Sequence, residues 1–167
     1  MNDAHVHLLL NHTPILGTLF GTLVLGYGWL SKSRGALKVG LATLLLVALV
    51  TIPAYITGEG AAELVEKLPG INLDALQAHE NVGEWALWSN GLVGTAALLG
   101  LLSIAQGSSR DRKVRAWILV TLLLGSIAFT LMVWTGLTGG AIRHAELREV
   151  AQLEITLPGA GGADKIL

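Results

Sequence analysis

An all-α, integral-membrane bundle of four helices is the fold class this sequence predicts, and three observations predict it. Hydrophobic residues fill 52% of the 167 positions and charged residues only 14%, whereas a water-soluble domain usually carries about a quarter charged. The apolar residues gather in four runs of roughly 20, the length of helix that crosses a hydrocarbon core at about 1.5 Å per residue. The remaining charges are sorted by sign between the two ends of those runs. Long apolar blocks exclude a disordered chain and a coiled coil. The absence of cysteine excludes disulfides, thiolate-held metals, iron–sulfur clusters and covalent c-type haem. A net charge of −1 offers nucleic acid no basic footprint.

The first span covers residues 8–30 and carries Gly17-x-x-x-Gly21, a pattern that lets helices approach closely in lipid. No small-residue cleavage site follows it, so it reads as a retained span rather than a signal peptide. The second span is 37–57. Beyond it, Leu64, Val65 and Leu68 lie opposite Glu63, Glu66 and Lys67, which predicts a short interfacial helix over about 60–68, ended by Pro69-Gly70. Asn72 or Asp74 is the expected cap of a long third helix that starts well before Trp85 and spans the membrane at 85–106. The fourth span is 116–137. Residues 1–154 make one transmembrane domain, and 155–167 are expected to be a flexible tail. The sequence shows no internal repeat.

Orientation follows from the basic residues. Lys32, Arg34 and Lys38 lie in the first link, and Arg110, Arg112, Lys113 and Arg115 in the last. Together they are seven of the 11 Lys and Arg, with Asp111 the one acid among them. The other end holds the remaining four basic and 11 acidic residues, so the two sides carry +6 and −7. The positive-inside rule puts the basic links in the cytoplasm and both termini outside, on the periplasmic face of a bacterial inner membrane. Trp29 and Trp117 then fall at the cytoplasmic interface, and Trp85, Trp88 and Trp134 towards the outer one. Short links between spans one and two, and three and four, predict an up-down bundle.

All five histidines (His5, His7, His12, His79 and His144) fall on the outer half of this topology. They come from three helices that converge in a bundle. Helix rise places His12 deepest, about 10 Å from the span centre, with His7 at about 18 Å and His79 and His144 at roughly 24–26 Å. Histidine is the residue of axial haem ligation and the commonest metal ligand, and a polar side chain at the depth of His12 needs a partner. His79 projects along Gly83, Ala86, Asn90 and Gly94, a face nearly free of side chains and suited to a flat porphyrin or to tight helix packing. Arg143 is placed to pair with propionates, with Tyr55 and Trp134 at the edge of the site. His5, in a short N-terminal tail, is the weakest ligand candidate. Glu80, Glu84 and Glu146 read as solvated. No Glu-x-x-His pair or His-Glu-x-x-His run marks a dedicated di-iron or zinc site.

The opening His7-Leu-Leu-Leu-Asn-His12-Thr-Pro14-Ile15, the closing Thr138-Gly139-Gly140-Ala-Ile-Arg-His144 and His79 at the head of the third span carry a resemblance. They resemble the motifs of a family of small bacterial four-helix membrane proteins, itself similar to the membrane cytochromes b. The resemblance implies b-type haem, one or two, on His7, His12, His79 and His144 in bis-histidine pairs. Those cytochromes commonly place haems near both membrane faces, and the cytoplasmic half here has no histidine.

The expected function is therefore single-electron transfer, with quinol or a periplasmic redox protein as partner, rather than catalysis on a substrate of its own. Two other classes fit the same residues. One is a copper, zinc or iron protein using the histidines with Glu80 or Glu146. The other is a structural subunit of a larger membrane complex, or a homo-oligomer, whose histidines only hydrogen-bond.

Overall fold

The structure, a computed structural model, describes residues 2–107 and 111–144. Its elements are all helices: α1 (Asp3–Leu10), α2 (His12–Ser31), α3 (Arg34–Val65), α4 (Leu73–Gln106) and α5 (Arg112–Ala141). The stretch Asp3–Ser31, α3, α4 and α5 are each long and apolar enough to cross a membrane. Residues 145–167, with the expected tail and Glu146, lie outside the described residues.

α1 and α2 are one helix interrupted at Asn11. Pro14 has no N–H to give to the carbonyl of Leu10, so the hydrogen-bond ladder breaks there. Asn11 still donates its N–H to the His7 carbonyl at 2.8 Å, and Asn2 starts α1 by accepting from the His5 N–H. Lys32 closes α2 at φ 56°, and the Ser33 side chain accepts from the Ala36 N–H to begin α3. A turn this short folds α3 back along α2.

α3 differs from the sequence reading. It runs unbroken through Pro53, Gly58 and Gly60 to Val65, so residues 60–65 are its last turns and no separate helix covers 60–68. Two glycines cost a helix interior about 1 kcal/mol each, but here α1 packs on that face. The Asp3 carboxylate sits against Gly60 and the His7 ring against Gly58. α4 starts as the sequence predicts, with the Asn72 side chain accepting from the Ala75 N–H at 2.9 Å. Its far end is held by Arg34, which donates to the carbonyls of Ile104 (2.6 Å) and Gly107 (3.1 Å), a cation placed at a helix C-terminus. Arg115 lies 5.4 Å from the Trp29 ring centre, a cation–π contact at the same end.

α2 packs on α3, α3 on α4, α4 on α5 and α5 back on α2, while α1 lies on α3. Leu25, Leu41, Leu44, Val93, Ile104 and Ile118 fill the centre. Leu16, Phe20, Leu23 and Leu123 stand outward and exposed, a surface suited to hydrocarbon. Midway along, Asn90 is 1% exposed. It accepts from Thr18 Oγ1 at 3.3 Å and donates to Thr51 Oγ1 at 3.0 Å, joining α2, α4 and α3.

The burial pattern reveals a duplication that the sequence reading missed. The buried residues of α2 are Pro14, Thr18, Gly21, Leu25 and Gly28. Shifted by the offset between His7 and His79, they land on Ala86, Asn90, Val93, Ala97 and Gly100, all buried in α4. Leu37, Gly40, Leu44, Val47 and Thr51 of α3 match Ile118, Thr121, Gly125, Ala128 and Met132 of α5 at a longer offset, the one between Ala54 and Thr135. The molecule is two similar helical hairpins, and Thr18 meets its counterpart Asn90 between them.

Candidate functional site

Between the hairpins, on the side of the Thr18–Asn90–Thr51 layer away from the 32–33 turn, a cavity of about 730 Å³ opens. This lies within the roughly 300–1,000 Å³ of cofactor and small-molecule sites. His7, His12, His79, His144, Arg143 and Gly83 all line it, so the structure brings these six predicted residues to one space. His5 does not line it; its ring hydrogen-bonds Asn2 Oδ1 at 2.5 Å in the cap of α1.

Two of the histidines form a pair. The rings of His7 and His79 have centroids 6.5 Å apart and planes at 81°. Nδ1 of His7 lies 2.9 Å from the Ala54 carbonyl of α3, and Nδ1 of His79 lies 2.9 Å from the Thr135 carbonyl of α5. A carbonyl only accepts, so both Nδ1 atoms carry the proton and, in the neutral ring, both Nε2 atoms keep a lone pair. This is the outer support that metal-bound imidazoles use. Each ring also rests on a glycine one helical turn beyond its acceptor. A Cβ at Gly58 would stand 3.0 Å from His7 Cε1 and 3.2 Å from its Nδ1; at Gly139 it would stand 3.0 Å and 3.1 Å from the same atoms of His79.

The separation has a chemical meaning. Two metal–nitrogen bonds of about 2.0–2.1 Å, plus about 1.1 Å from each coordinating nitrogen to its ring centre, put two trans imidazoles about 6.3 Å apart. The observed 6.5 Å is the separation that one metal ion would need where both Nε2 atoms turn towards the gap. Among the described residues no group of three or more His, Cys, Asp or Glu could hold a metal. Two histidines alone fall short of the three or four protein ligands of a zinc site, but they complete a metal whose other four ligands are porphyrin nitrogens.

The rest of the lining fits a flat, amphiphilic group. A Cβ at Gly83 would meet nothing within 4 Å, so this part of α4 faces open space, and Ala86 below it is buried and also lines the cavity. Lower on the same face, Gly94 is packing: a Cβ there would stand 2.5 Å from Ala48 Cβ. The side-chain-poor face thus divides, its upper turns lining the cavity and its lower turn pressed on α3. Arg143 and Glu80 are exposed residues of the lining, and Tyr55 is half-buried. Trp134, expected at the edge, is 56% exposed and does not line the cavity. Asn11, in the lining, has a buried Oδ1 with no hydrogen-bond partner, a polar atom with unused capacity beside the space.

Sequence reading did not find the Ala54 and Thr135 acceptors, the Gly58 and Gly139 supports or the Asn11 acceptor. One signal was available: Thr57-Gly58 and Thr138-Gly139 are the same dipeptide, each three residues beyond the carbonyl that takes a histidine.

Comparison with known proteins gives no match: no family model, no curated protein and no solved structure corresponds to this chain.

Proposed function

We propose that this protein is a small membrane cytochrome of the b type, holding one haem between its two hairpins with His7 and His79 as axial ligands. The observation that carries the reading is the His7–His79 pair, 6.5 Å between centroids with each Nδ1 committed to a backbone carbonyl. His12 and His144 line the same cavity and are the candidates for hydrogen bonds to the haem edge or for a second axial pair. Arg143, at the end of α5, would meet the propionates, and Gly83 and Ala86 would lie under the ring. With both axial positions filled by protein, the haem supplies one-electron oxidation and reduction rather than chemistry on a bound substrate. The chain's own work is to exclude water with the Asn90 layer and the core below it, and to fix both imidazoles through their Nδ1 bonds.

The distribution of charge supports an up-down bundle in a bacterial inner membrane, with the basic links cytoplasmic and the termini and haem end periplasmic. The acidic outer side suits a basic periplasmic redox partner by steering, and a site at the interface also suits quinol. A copper, zinc or iron site is the weaker reading, because the described residues offer a two-histidine pair and no third donor group.

The test is the absorption of the purified protein. A Soret band with a reduced α band in the wild type, lost in both His7→Ala and His79→Ala, supports the reading. A colourless protein that takes up no haem on reconstitution overturns it, and stoichiometric metal without porphyrin would favour the metal site.

A further inference from the structure

The two histidines are seated alike, and this likeness says something that ligation alone does not. Each donates from Nδ1 at 2.9 Å to a helix carbonyl, Ala54 in α3 for His7 and Thr135 in α5 for His79. Each lies over the glycine four residues further on, with a nearest approach of 3.0 Å to a Cβ placed there. Each acceptor carbonyl is also approached by a threonine hydroxyl three residues beyond it, Thr57 Oγ1 at 3.2 Å and Thr138 Oγ1 at 3.0 Å. A carbonyl on one side and a glycine floor on the other leave the ring little freedom to turn about its own axis. The two seats belong to different helices, and the rings they hold stand at 81°.

We propose that Thr57-Gly58 and Thr138-Gly139 are duplicated imidazole seats. Their glycines are positioning residues that hold the planes of the two haem ligands near perpendicular. The inference rests on the haem reading above, but it makes a separate claim: which residues set ligand orientation, and what that orientation is. Alanine at Gly58 or Gly139 would put a methyl group inside ordinary contact distance of Cε1 and Nδ1. The ring must then lift by a few tenths of an ångström, rotate and stretch its bond to the carbonyl. A weaker Nδ1–H···O bond leaves the imidazole less basic, which favours the ferrous iron, so the midpoint potential rises.

Electron paramagnetic resonance of the ferric protein reads the orientation directly. In a low-spin haem with two imidazoles, perpendicular planes leave two iron d orbitals nearly degenerate and give a strongly anisotropic signal dominated by one large g value. Parallel planes give three resolved components. The wild type is expected to show the first pattern. Gly58→Ala and Gly139→Ala should each retain the Soret band, move the signal towards the rhombic pattern and raise the potential. Gly91→Ala is the control, since Gly91 is exposed on α4 and a Cβ there meets nothing within 4 Å; it should match the wild type. A wild type that binds haem and gives the rhombic pattern overturns the seat proposal while leaving the haem reading intact. So do seat variants that bind haem with unchanged signal and potential. If either alanine variant fails to fold, the wild-type spectrum still decides the orientation. A protein with no Soret band overturns the haem reading, and this inference with it.

Discussion

Asn90→Ala should destabilise the bundle by about 2 kcal/mol, and Asn90→Leu by about half as much. Asn90 is 1% exposed and spends both ends of its amide between helices, on Thr18 of α2 and Thr51 of α3. Interhelical hydrogen bonds in lipid average about 0.6 kcal/mol, so losing two costs about 1.2 kcal/mol. Alanine also removes three heavy atoms, a void of roughly 50 Å³, which adds about 1.2 kcal/mol at ~24 cal/mol per Å³. Leucine has the same branched shape, leaves no void and incurs chiefly the first cost, because Thr51 retains its bond to the Val47 carbonyl at 2.8 Å and the Thr18 hydroxyl can turn to its own helix. Reversible unfolding in mixed micelles, followed by far-UV circular dichroism on protein without cofactor, measures both differences. Both variants within 0.5 kcal/mol of wild type, a margin that is about the size of one such bond, would refute the bonded layer. Leucine costing more than alanine would refute the packing argument.

Three further outcomes follow from the same geometry. His7→Ala and His79→Ala should lower bound haem to the same extent, because their seats match within 0.2 Å, while His5→Ala leaves it unchanged; haem-to-protein ratios after reconstitution check this. Gly83→Leu should cut the haem-to-protein ratio severalfold with helicity retained, since its side chain would enter open space in the cavity. Arg34→Ala should cost about 1–2 kcal/mol of unfolding free energy with the haem spectrum unchanged, because a charged donor to the Ile104 and Gly107 carbonyls at the end of α4 is lost far from the cavity.

Much of this could be read from residue order, and the limits have physical causes. Four runs of hydrophobic length gave the four long helices, and Asn72 gave the start of α4, because both signals are local. The gathering of His7, His12, His79 and His144 around one space followed from counting helix rise in a four-helix layout. The choice of His7 with His79 did not. Straight-helix counting separates them by about 6–8 Å in depth, whereas α1, freed from α2 at Asn11, lies on α3 and brings its ring beside that of His79. The acceptors at Ala54 and Thr135 are backbone carbonyls, which every residue has, so no side chain announces them. The second span ends at 57 in the sequence because the apolar run stops there, whereas α3 continues to Val65 because α1 packs on its last turns, a contact that no local signal announces. The duplication stayed hidden for a related reason. Burial conserves position rather than identity, so Leu25 corresponds to Ala97 and Thr18 to Asn90.

The central claim is that His7 and His79 hold one b-type haem. The pyridine haemochrome assay, applied to purified wild type, His7→Ala, His79→Ala and the double variant, tests it most directly because it reports haem type and stoichiometry together. One haem b per chain in the wild type, and none in the double variant, is the predicted result. No haem in the wild type, or full stoichiometry in the double variant, would contradict it.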